Sequence, residues 1–380
     1  MSDQPCTLTM GVEEEFFLVD DQGELVQDAA GTIATVDDQA QDESDQDSTG
    51  GDGVDVKAEL LRAQVESGSE ICHDHRELLA NLTELRARLI DGANERGARL
   101  LACGTILAEP RDPQRVTAGP RYRRIVGHVG RFVVDGSTCG CHVHVGVDDR
   151  DTAIKVSNQL RPWLPVLLAL SANSPFHRGS DTGYASSRHL LWGRWPTSGP
   201  PPYLESVDHY ERIVRGLLGS SAALDRGMIY WDIRPSEHQP TIEIRVHDTA
   251  ATAAEATLIG VLVRALVADA LDRIDRGVPA EQVPHEVLRG QLWRAARDGL
   301  EGQCADPGTG ELRPAHDILA ELVPLCPGGR DEQDFVAETL AELRRTGGGA
   351  ARQRAAYRRR ESWADVISML IEQTQATTAV

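Results

Sequence analysis

Residues 8–19, LTMGVEEEFFLV, place three consecutive glutamates inside an apolar strand. Because alternate side chains of a strand share one face, Glu13 and Glu15 point to one face of the sheet and Glu14 to the other. Two carboxylates on one buried face are costly unless cations bind between them. The stretch therefore predicts a strand with a cation-binding face, and a solvent-facing sheet edge is the alternative interpretation.

A second acidic pair lies in ELLRAQVE, where Glu59 and Glu66 are seven residues apart. Seven residues make two helical turns, so both carboxylates would share one face if the segment were helical. An extended or kinked segment would break that geometry. Exposed acids on a helix are common, so this pair carries little weight alone.

Two further strands carry polar side chains on alternate positions. The stretch CHVHV places His142 and His144 on one strand face, and IEIRV places Glu243 and Arg245 on one strand face. Histidines at such spacing suit a metal ligand with a neighbouring phosphate contact, or a pair of core-edge histidines without a ligand. For the Glu243–Arg245 strand, a structural ion pair is the alternative.

The overall composition limits the classes of partner. The chain has 380 residues and a formal charge of −20, which argues against binding to nucleic acid or to an anionic membrane. Its seven scattered cysteines and the absence of a secretory signal in residues 1–9 predict a cytoplasmic protein with reduced thiols. We expect small-molecule substrates instead.

Taken together, five carboxylates and two histidines predict a site for hard cations, Mg²⁺ or Mn²⁺. Several divalent ions in one site imply phosphate groups that complete their coordination, and hence ATP. No glycine-rich nucleotide fingerprint of the Rossmann or P-loop type is present, and Lys57 and Lys155 are the only lysines. Phosphate binding is therefore expected to depend on metal ions and arginine.

Along the chain, residues 37–55 are acidic and glycine-rich and predict a flexible surface loop. Residues 59–66 leave helix and strand open, residues 111–124 predict a loop, residues 173–204 predict a long ordered functional loop, and residues 252–373 predict mainly helices. No internal repeat or convincing boundary is visible. We expect a single catalytic domain over residues 1–380.

Long, specific segments resemble the carboxylate–amine ligase family, the second type of bacterial glutamate–cysteine ligase. The resemblance covers residues 8–373 and is carried by GVEEEFFLVD, ELLRAQVE, CGCHVHVGV, LRPWLPVLLALSANSPF, DTGYASSR, WGRWPTSGPPP, YWDIRPS and TIEIRV. It implies a glutamine synthetase-like fold of class α+β, with a curved antiparallel sheet flanked by helices. It is also compatible with a homodimer.

The resemblance implies a role for each residue of the motifs. Glu15, Glu59 and Glu66 would hold a first metal near the substrate γ-carboxylate, whereas Glu13, His142 and Glu243 would hold a second metal near the ATP phosphates. His144 would lie close to the nucleotide. Arg245 would stabilise the transferring phosphate, and Arg234 and Arg188 would lie near the phosphate or the substrate carboxylate.

The implied activity is an ATP-dependent ligation of glutamate to cysteine or a related amine through a γ-glutamyl phosphate. The sequence departs from the family pattern at His177, His189 and His247, which either reshape the amine pocket or are neutral changes. Three alternatives stay open: a ligase for another acid–amine pair in a specialised biosynthetic pathway, a guanido kinase-like enzyme on the same scaffold, and a non-catalytic metal-binding relative.

Overall fold

The centre of the molecule is an antiparallel sheet of seven strands, as seen in a computed structural model that describes residues 8–44, 55–130, 132 and 138–376. Six strands follow the order β2-β3-β1-β5-β9-β8, and β4 pairs with the last residues of β1. The strands are β1 (Met10–Val19), β2 (Asp55–Ala58), β3 (Gln64–Gly68), β4 (Arg99–Leu101), β5 (Gly140–Gly146), β8 (Ile233–Pro235) and β9 (Thr241–Asp248).

Helices and two small hairpins surround this sheet. The hairpins pair β6 (Phe176–His177) with β7 (Ser180–Asp181), and β10 (Gln303–Ala305) with β11 (Leu312–Pro314). The helices are α1 (Ala29–Ser44), α2 (His75–Glu95), α3 (Pro120–Val129), α4 (Arg150–Leu160), α5 (Leu164–Ser171), α6 (Ser187–Trp192), α7 (Val207–Gly219), α8 (Ala253–Asp275), α9 (His285–Asp298), α10 (Ala315–Ala320), α11 (Gly329–Thr346), α12 (Gly349–Arg360) and α13 (Trp363–Gln375).

Helices α2 and α8 cover the sheet face to which Val12 and Glu14 point. Gly260 lies where α8 comes closest to β1 and α2, because a Cβ at this position would stand 2.8 Å from Leu78 Cδ2 and 3.3 Å from Val12 Cγ2. Arg86 of α2 reaches the Glu14 carboxylate on the same face, at 2.6 Å. This face of the sheet is therefore core, and Glu14 belongs to it.

The opposite face is divided into an apolar end and a polar end. Phe17 and Val19 pack against the C-terminal helix α13 through Val366, Ile367 and Leu370. Toward the start of β1 the same face carries Glu13 and Glu15, which line an open cleft. One face of β1 thus carries the functional acids at its start and core residues at its end, whereas the other face is core throughout.

Several expectations from the sequence are wrong in detail. Residues 37–44, predicted as loop, continue α1, and residues 45–54 lie outside the described residues. The predicted loop at 111–124 includes the start of α3, and the predicted loop at 173–204 contains α6 and the β6–β7 hairpin. The helical region 252–373 also contains the β10–β11 hairpin.

The helices of this fold also differ from membrane-spanning helices. Within the described residues, every helix falls short, in length or in apolar character, of what a bilayer crossing requires.

Candidate active site

The register of β1 and β3 builds a cluster of three carboxylates. Glu15 stands directly opposite Glu66, and Glu59 joins them from the turn that precedes β3. One carboxylate oxygen from each residue lies within 4.8 Å of the others. The helical geometry considered for Glu59 and Glu66 is wrong, because the segment is a turn followed by a strand, but the two acids still meet.

The three acids of this cluster destabilise one another's charged forms. Burial and the Glu59 charge raise the pKa of Glu15 to about 7. Burial, followed by the charges of Glu13, Glu59 and Glu15, raises the pKa of Glu66 well above its usual range, and burial also raises the pKa of Glu59. A bound cation would offset this repulsion, so the charges of the cluster favour cation binding.

A second cluster unites Glu13, His144 and Glu243, whose ligand atoms also lie within 4.8 Å of one another. It forms because His144 stands opposite Glu243 in the pairing of β5 with β9. Although burial opposes it, hydrogen bonds from His142 and His144 lower the pKa of Glu13. The cluster therefore keeps a charged carboxylate beside two imidazole rings.

His142 lies between the two clusters. Its Nδ1 is 3.3 Å from Glu13 Oε2, and its Nε2 is 3.8 Å from Glu15 Oε1. Burial, together with the charge of Arg245, lowers the pKa of His142 to about 4, so the ring is neutral near pH 7. The geometry thus groups His144 with Glu13 and Glu243, and it places His142 as a bridge.

Two arginines hold Glu243 from either side. Arg234 donates from Nε to Glu243 Oε2 at 2.7 Å, and the Arg245 guanidinium contacts the other oxygen. Against the effect of burial, these two charges lower the pKa of Glu243. Arg245 also lines the cleft beside the carboxylates, whereas Arg234 is not among the residues that line it.

Arg188 lies beneath the sheet surface and outside the lining of the cleft. Its guanidinium donates to the carbonyls of Arg245 and Val246, at 3.4 and 3.5 Å, and stacks near the Trp192 ring. It passes so close to Gly140 that a Cβ there would be 2.2 Å from Arg188 Nη2. The amide of the same glycine donates to Glu15 Oε2 at 2.6 Å, so Arg188 is placed to support β5 and β9.

Known proteins are similar in sequence to this chain over nearly its whole length. The model of glutamate–cysteine ligase family 2 matches residues 9–373. The chain belongs to glutamate–cysteine ligase family 2. A candidate glutamate–cysteine ligase 2-1 of Rhodococcus jostii is 45% identical over 96% of this chain and 95% of its own, and a candidate glutamate–cysteine ligase 2-2 of Mycobacterium sp. (strain KMS) is 44% identical over 97% and 99%.

Solved structures confirm the fold class of this family 2 ligase. The glutamate–cysteine ligase of Francisella tularensis, crystallised with AMP, superposes with a TM-score of 0.66 at 12% identity, covering 97% of this chain and 89% of its own. A bifunctional glutathione synthetase of Pasteurella multocida gives 0.69 at 14% identity, covering 97% and 52%. The fold is thus α+β and glutamine synthetase-like. The family match, and not these distant structures, identifies the protein as an ATP-dependent carbon–nitrogen ligase.

The cleft of the family 2 ligase includes residues that sequence reasoning did not assign. It has a volume of about 190 Å³, and besides the acids its lining includes Arg121 and an aromatic wall, by which we mean Tyr122, Trp192, Trp195 and Tyr230. The stretches WGRWPTSGPPP and YWDIRPS already carried the family resemblance and contain both tryptophans and the tyrosine. Arg121 and Tyr122 had no such signal, since their segment was predicted as loop.

A separate opening lies at the His144 end of the site in this family 2 ligase. This cavity of about 290 Å³ is lined by Gly11, Glu13, Ser69, His144 and Thr241, among others. The Nδ1 of His144 is 2.9 Å from Thr241 Oγ1, which orients the imidazole ring toward the second cluster. The first cluster therefore borders the cleft, whereas the second borders this cavity through His144 and both spaces through Glu13.

Proposed function

We propose that this protein joins the γ-carboxylate of L-glutamate to the amine of L-cysteine or a related acceptor at the expense of ATP. In the first step the carboxylate oxygen bonds to the γ-phosphorus, the bond to the β,γ-bridging oxygen breaks, and ADP leaves. In the second step the neutral amine nitrogen bonds to the acyl carbon, the bond between that carbon and the phosphate oxygen breaks, and phosphate leaves with the one proton that the nitrogen loses.

The observation that supports this proposal most directly is the pair of adjoining acidic clusters with Arg245 between them. Arg245 contacts Glu243 of the second cluster, and its Nη1 lies 3.5 Å from the bridging His142. It also lines the cleft that holds Glu15, Glu59 and Glu66. A phosphoryl group passing from one cluster to the other would meet this guanidinium, which can neutralise charge on the transferring oxygens.

The residues fit divalent cations. Mg²⁺ binds oxygen at about 2.1 Å, so ligands across one ion lie about 4.2 Å apart, and both clusters have ligand atoms within 4.8 Å of one another. We propose that Glu15, Glu59 and Glu66 hold one Mg²⁺ or Mn²⁺, and that Glu13, His144 and Glu243 hold another, with His142 beside both. When bound, the ions supply positive charge that stabilises phosphate oxygens.

The remaining residues of the motifs would position these groups. Arg234 fixes the Glu243 carboxylate through two hydrogen bonds, at 2.7 and 3.3 Å. Arg188 supports the backbone of β9 at Arg245 and Val246. We therefore assign the phosphoryl contact to Arg245 and a positioning role to Arg234 and Arg188.

The two cavities suggest a place for each substrate. The cleft beside Glu15 contains Arg121, which suits the α-carboxylate of glutamate. The cavity at His144 adjoins the second cluster, so its position suits the phosphates of ATP. In this arrangement the γ-carboxylate and the γ-phosphate would approach each other above Glu13 and Glu15.

The first experiment measures ADP release with Mg²⁺, ATP and L-glutamate across a panel of amines that includes L-cysteine, with mass spectrometry of the product. Hydroxylamine serves as a small acceptor that traps an acyl phosphate as γ-glutamyl hydroxamate. Hydroxamate and γ-glutamylcysteine are the expected products. Product with another acid or amine would retain the ligase chemistry and reassign the substrates, and a failure of ADP release with every pair would contradict the proposal.

The variant Glu15→Gln tests the proposed ion cluster directly. We expect turnover to fall by at least about 100-fold, since one charged ligand is lost, with an unchanged or higher melting temperature because a buried repulsion is removed. The exposed Glu338→Gln, on α11, is the matched control and should retain activity. Full activity of Glu15→Gln would exclude this cluster from catalysis.

A further inference from the structure

A third cavity, larger than the cleft and than the cavity at His144, adjoins the aromatic wall of the cleft. It measures about 570 Å³, and Trp192 and Trp195 line both this cavity and the catalytic cleft. Its remaining lining includes His189, Arg194, Asp232 and Arg289. The proposed reaction of glutamate with ATP does not use this space, which adjoins the catalytic cleft at the two indole rings.

Asp232 is a buried acid on the wall of this cavity. Its side chain is 2% exposed, and its Oδ2 has no hydrogen-bond partner among the described residues. The backbone holds it firmly, because the Asp232 amide donates to the Gly199 carbonyl and its own carbonyl accepts from the Arg245 amide, both at 2.8 Å. It therefore stands directly beside the arginine assigned to the phosphoryl group.

A buried carboxylate without a partner costs free energy that folding alone does not recover. Burial raises the pKa of Asp232 to about 7, although Arg188 and Arg245 oppose the shift. The protein nevertheless keeps an acid at this position, where it borders a cavity of substrate size. A cationic group entering from the cavity would supply the missing partner.

The rim of the cavity has the opposite charge. Arg194 and Arg289 are exposed there, and no ion pair of either residue is seen within the described part of the chain. His189 is neutral near pH 7, because burial and the charge of Arg188 lower its pKa to about 4. The cavity thus presents a negative group at its inner wall and two positive groups at its mouth.

We propose that this cavity is the acceptor site and that Asp232, Arg194 and Arg289 are the residues that select the acceptor. The ammonium group contacts Asp232, next to the cleft, and the carboxylate faces Arg194 and Arg289. This inference rests on the proposed ligase function and adds the residues that would bind the acceptor. It also gives His189, one of the departures from the family pattern, a place on the wall of that site.

The test compares three acceptors: the best substrate from a panel of the twenty amino acids, cysteamine, which has the amine but no carboxylate, and hydroxylamine, which needs neither contact. For Asp232→Asn we expect kcat/KM for the amino acid and for cysteamine to fall about 10- to 100-fold, mainly through KM. Hydroxamate formation and the KM for glutamate should stay within about twofold of the wild-type values.

Arg194→Ala and Arg289→Ala test the contact with the acceptor carboxylate independently of the contact with its ammonium group. Each should raise the KM for the amino acid by about 3- to 30-fold, and neither should change the KM for cysteamine. Asp208→Asn, an exposed acid on α7, is the control for Asp232→Asn. Because both arginines are exposed, these variants test the proposal even if Asp232→Asn does not fold.

The outcomes distinguish this inference from the proposed function. If the wild-type enzyme makes no hydroxamate from glutamate and ATP, the proposed function itself fails. If hydroxamate forms but no amino acid is accepted, or if Asp232→Asn and both arginine variants keep wild-type KM values for the amino acid, only the acceptor site is wrong.

Discussion

Three adjacent residues of identical chemistry, Glu13, Glu14 and Glu15, occupy different environments because the strand alternates. Glu13 and Glu15 face the cleft, whereas Glu14 is completely buried on the other face and pairs with Arg86. The alternation itself could be read from the sequence. The sequence also predicted the face of Glu13 and Glu15 as the cation-binding face, but not the pairing of Glu14, which depends on the helices that cover the other face.

The buried pair of Glu14 with Arg86 gives a prediction about stability. The Arg86 guanidinium donates to both Glu14 oxygens, at 2.6 and 3.0 Å, and to the carbonyl of Ala250. Glu14→Ala would leave this charge unpaired in the core, so we expect a loss of about 3–5 kcal/mol in the free energy of unfolding.

Chemical denaturation measures this loss. Glu84→Ala is the matched control, because Glu84 pairs with Arg88 on the exposed side of the same helix, and it should cost less than about 1 kcal/mol. Equal costs for the two variants would contradict a structural role for Glu14.

A histidine that departs from the family pattern predicts how stability depends on pH. His247 is fully buried, and burial lowers its pKa to about 3. The unfolded chain, with an ordinary pKa of about 6.5, binds one more proton than the folded chain between these values. The contribution of His247 to stability is therefore present above pH 6.5 and is lost as the pH falls.

Urea unfolding at pH 6.5 and at pH 5.0, in the presence of a chelator, measures this effect. The loss of stability between these pH values should be smaller in His247→Asn than in the wild type by about 2 kcal/mol, since one proton contributes about 1.4 kcal/mol per pH unit. The exposed His238→Asn should behave like the wild type. If the loss of stability between the two pH values is the same in His247→Asn as in the wild type, protonation of His247 does not destabilise the fold.

At the scale of elements, periodicity predicted the strands that build the site but not every helix. β1, β5 and β9 follow the stretches that alternate in the sequence. Helix α3 was missed because its proline suggested a loop. Pro120 occupies the first turn of this helix, however, where the missing N–H has no partner to lose.

Helix α1 continues into residues 37–44, which were predicted as loop, for a tertiary reason. Its polar second half was predicted as loop from composition. The apolar first half packs against α2, with Ala29 and Val36 in one buried cluster with Leu89 and Ala93. This anchorage holds the helix that continues to Ser44.

At the scale of the whole molecule, the C-terminal helices connect distant parts of the chain. Arg352 of α12 donates to Glu255 of α8 at 2.7 Å, and both side chains are largely buried. Gln353 donates its side-chain amide to the carbonyl of Asn173 at 3.0 Å. The last helices therefore stabilise the helix that supports the back of the sheet.

A double-mutant cycle on this pair tests the connection. Arg352→Ala and Glu255→Ala should each cost about 3–5 kcal/mol in the free energy of unfolding, because each leaves a buried charge, and the double variant should cost less than the sum. Arg359→Ala, exposed on the same helix, is the control and should change stability by less than about 0.5 kcal/mol. Additive costs would show that the two residues act independently.

Other expectations for the whole molecule stay predictions. These are the single catalytic domain over residues 1–380, the homodimer and the cytoplasmic location. The roles assigned to the motif residues likewise await the experiments above.

The sequence by itself determined the family, the glutamine synthetase-like fold and the residues of the motifs, because strand alternation and long specific segments are local properties. The tertiary structure alone decided which histidine joins the second cluster. Pairing across strands sets His144 opposite Glu243 and leaves His142 between the two clusters. It also places Asp232 beside the aromatic wall. Such contacts join residues that are far apart in the chain, so no local pattern could reveal them.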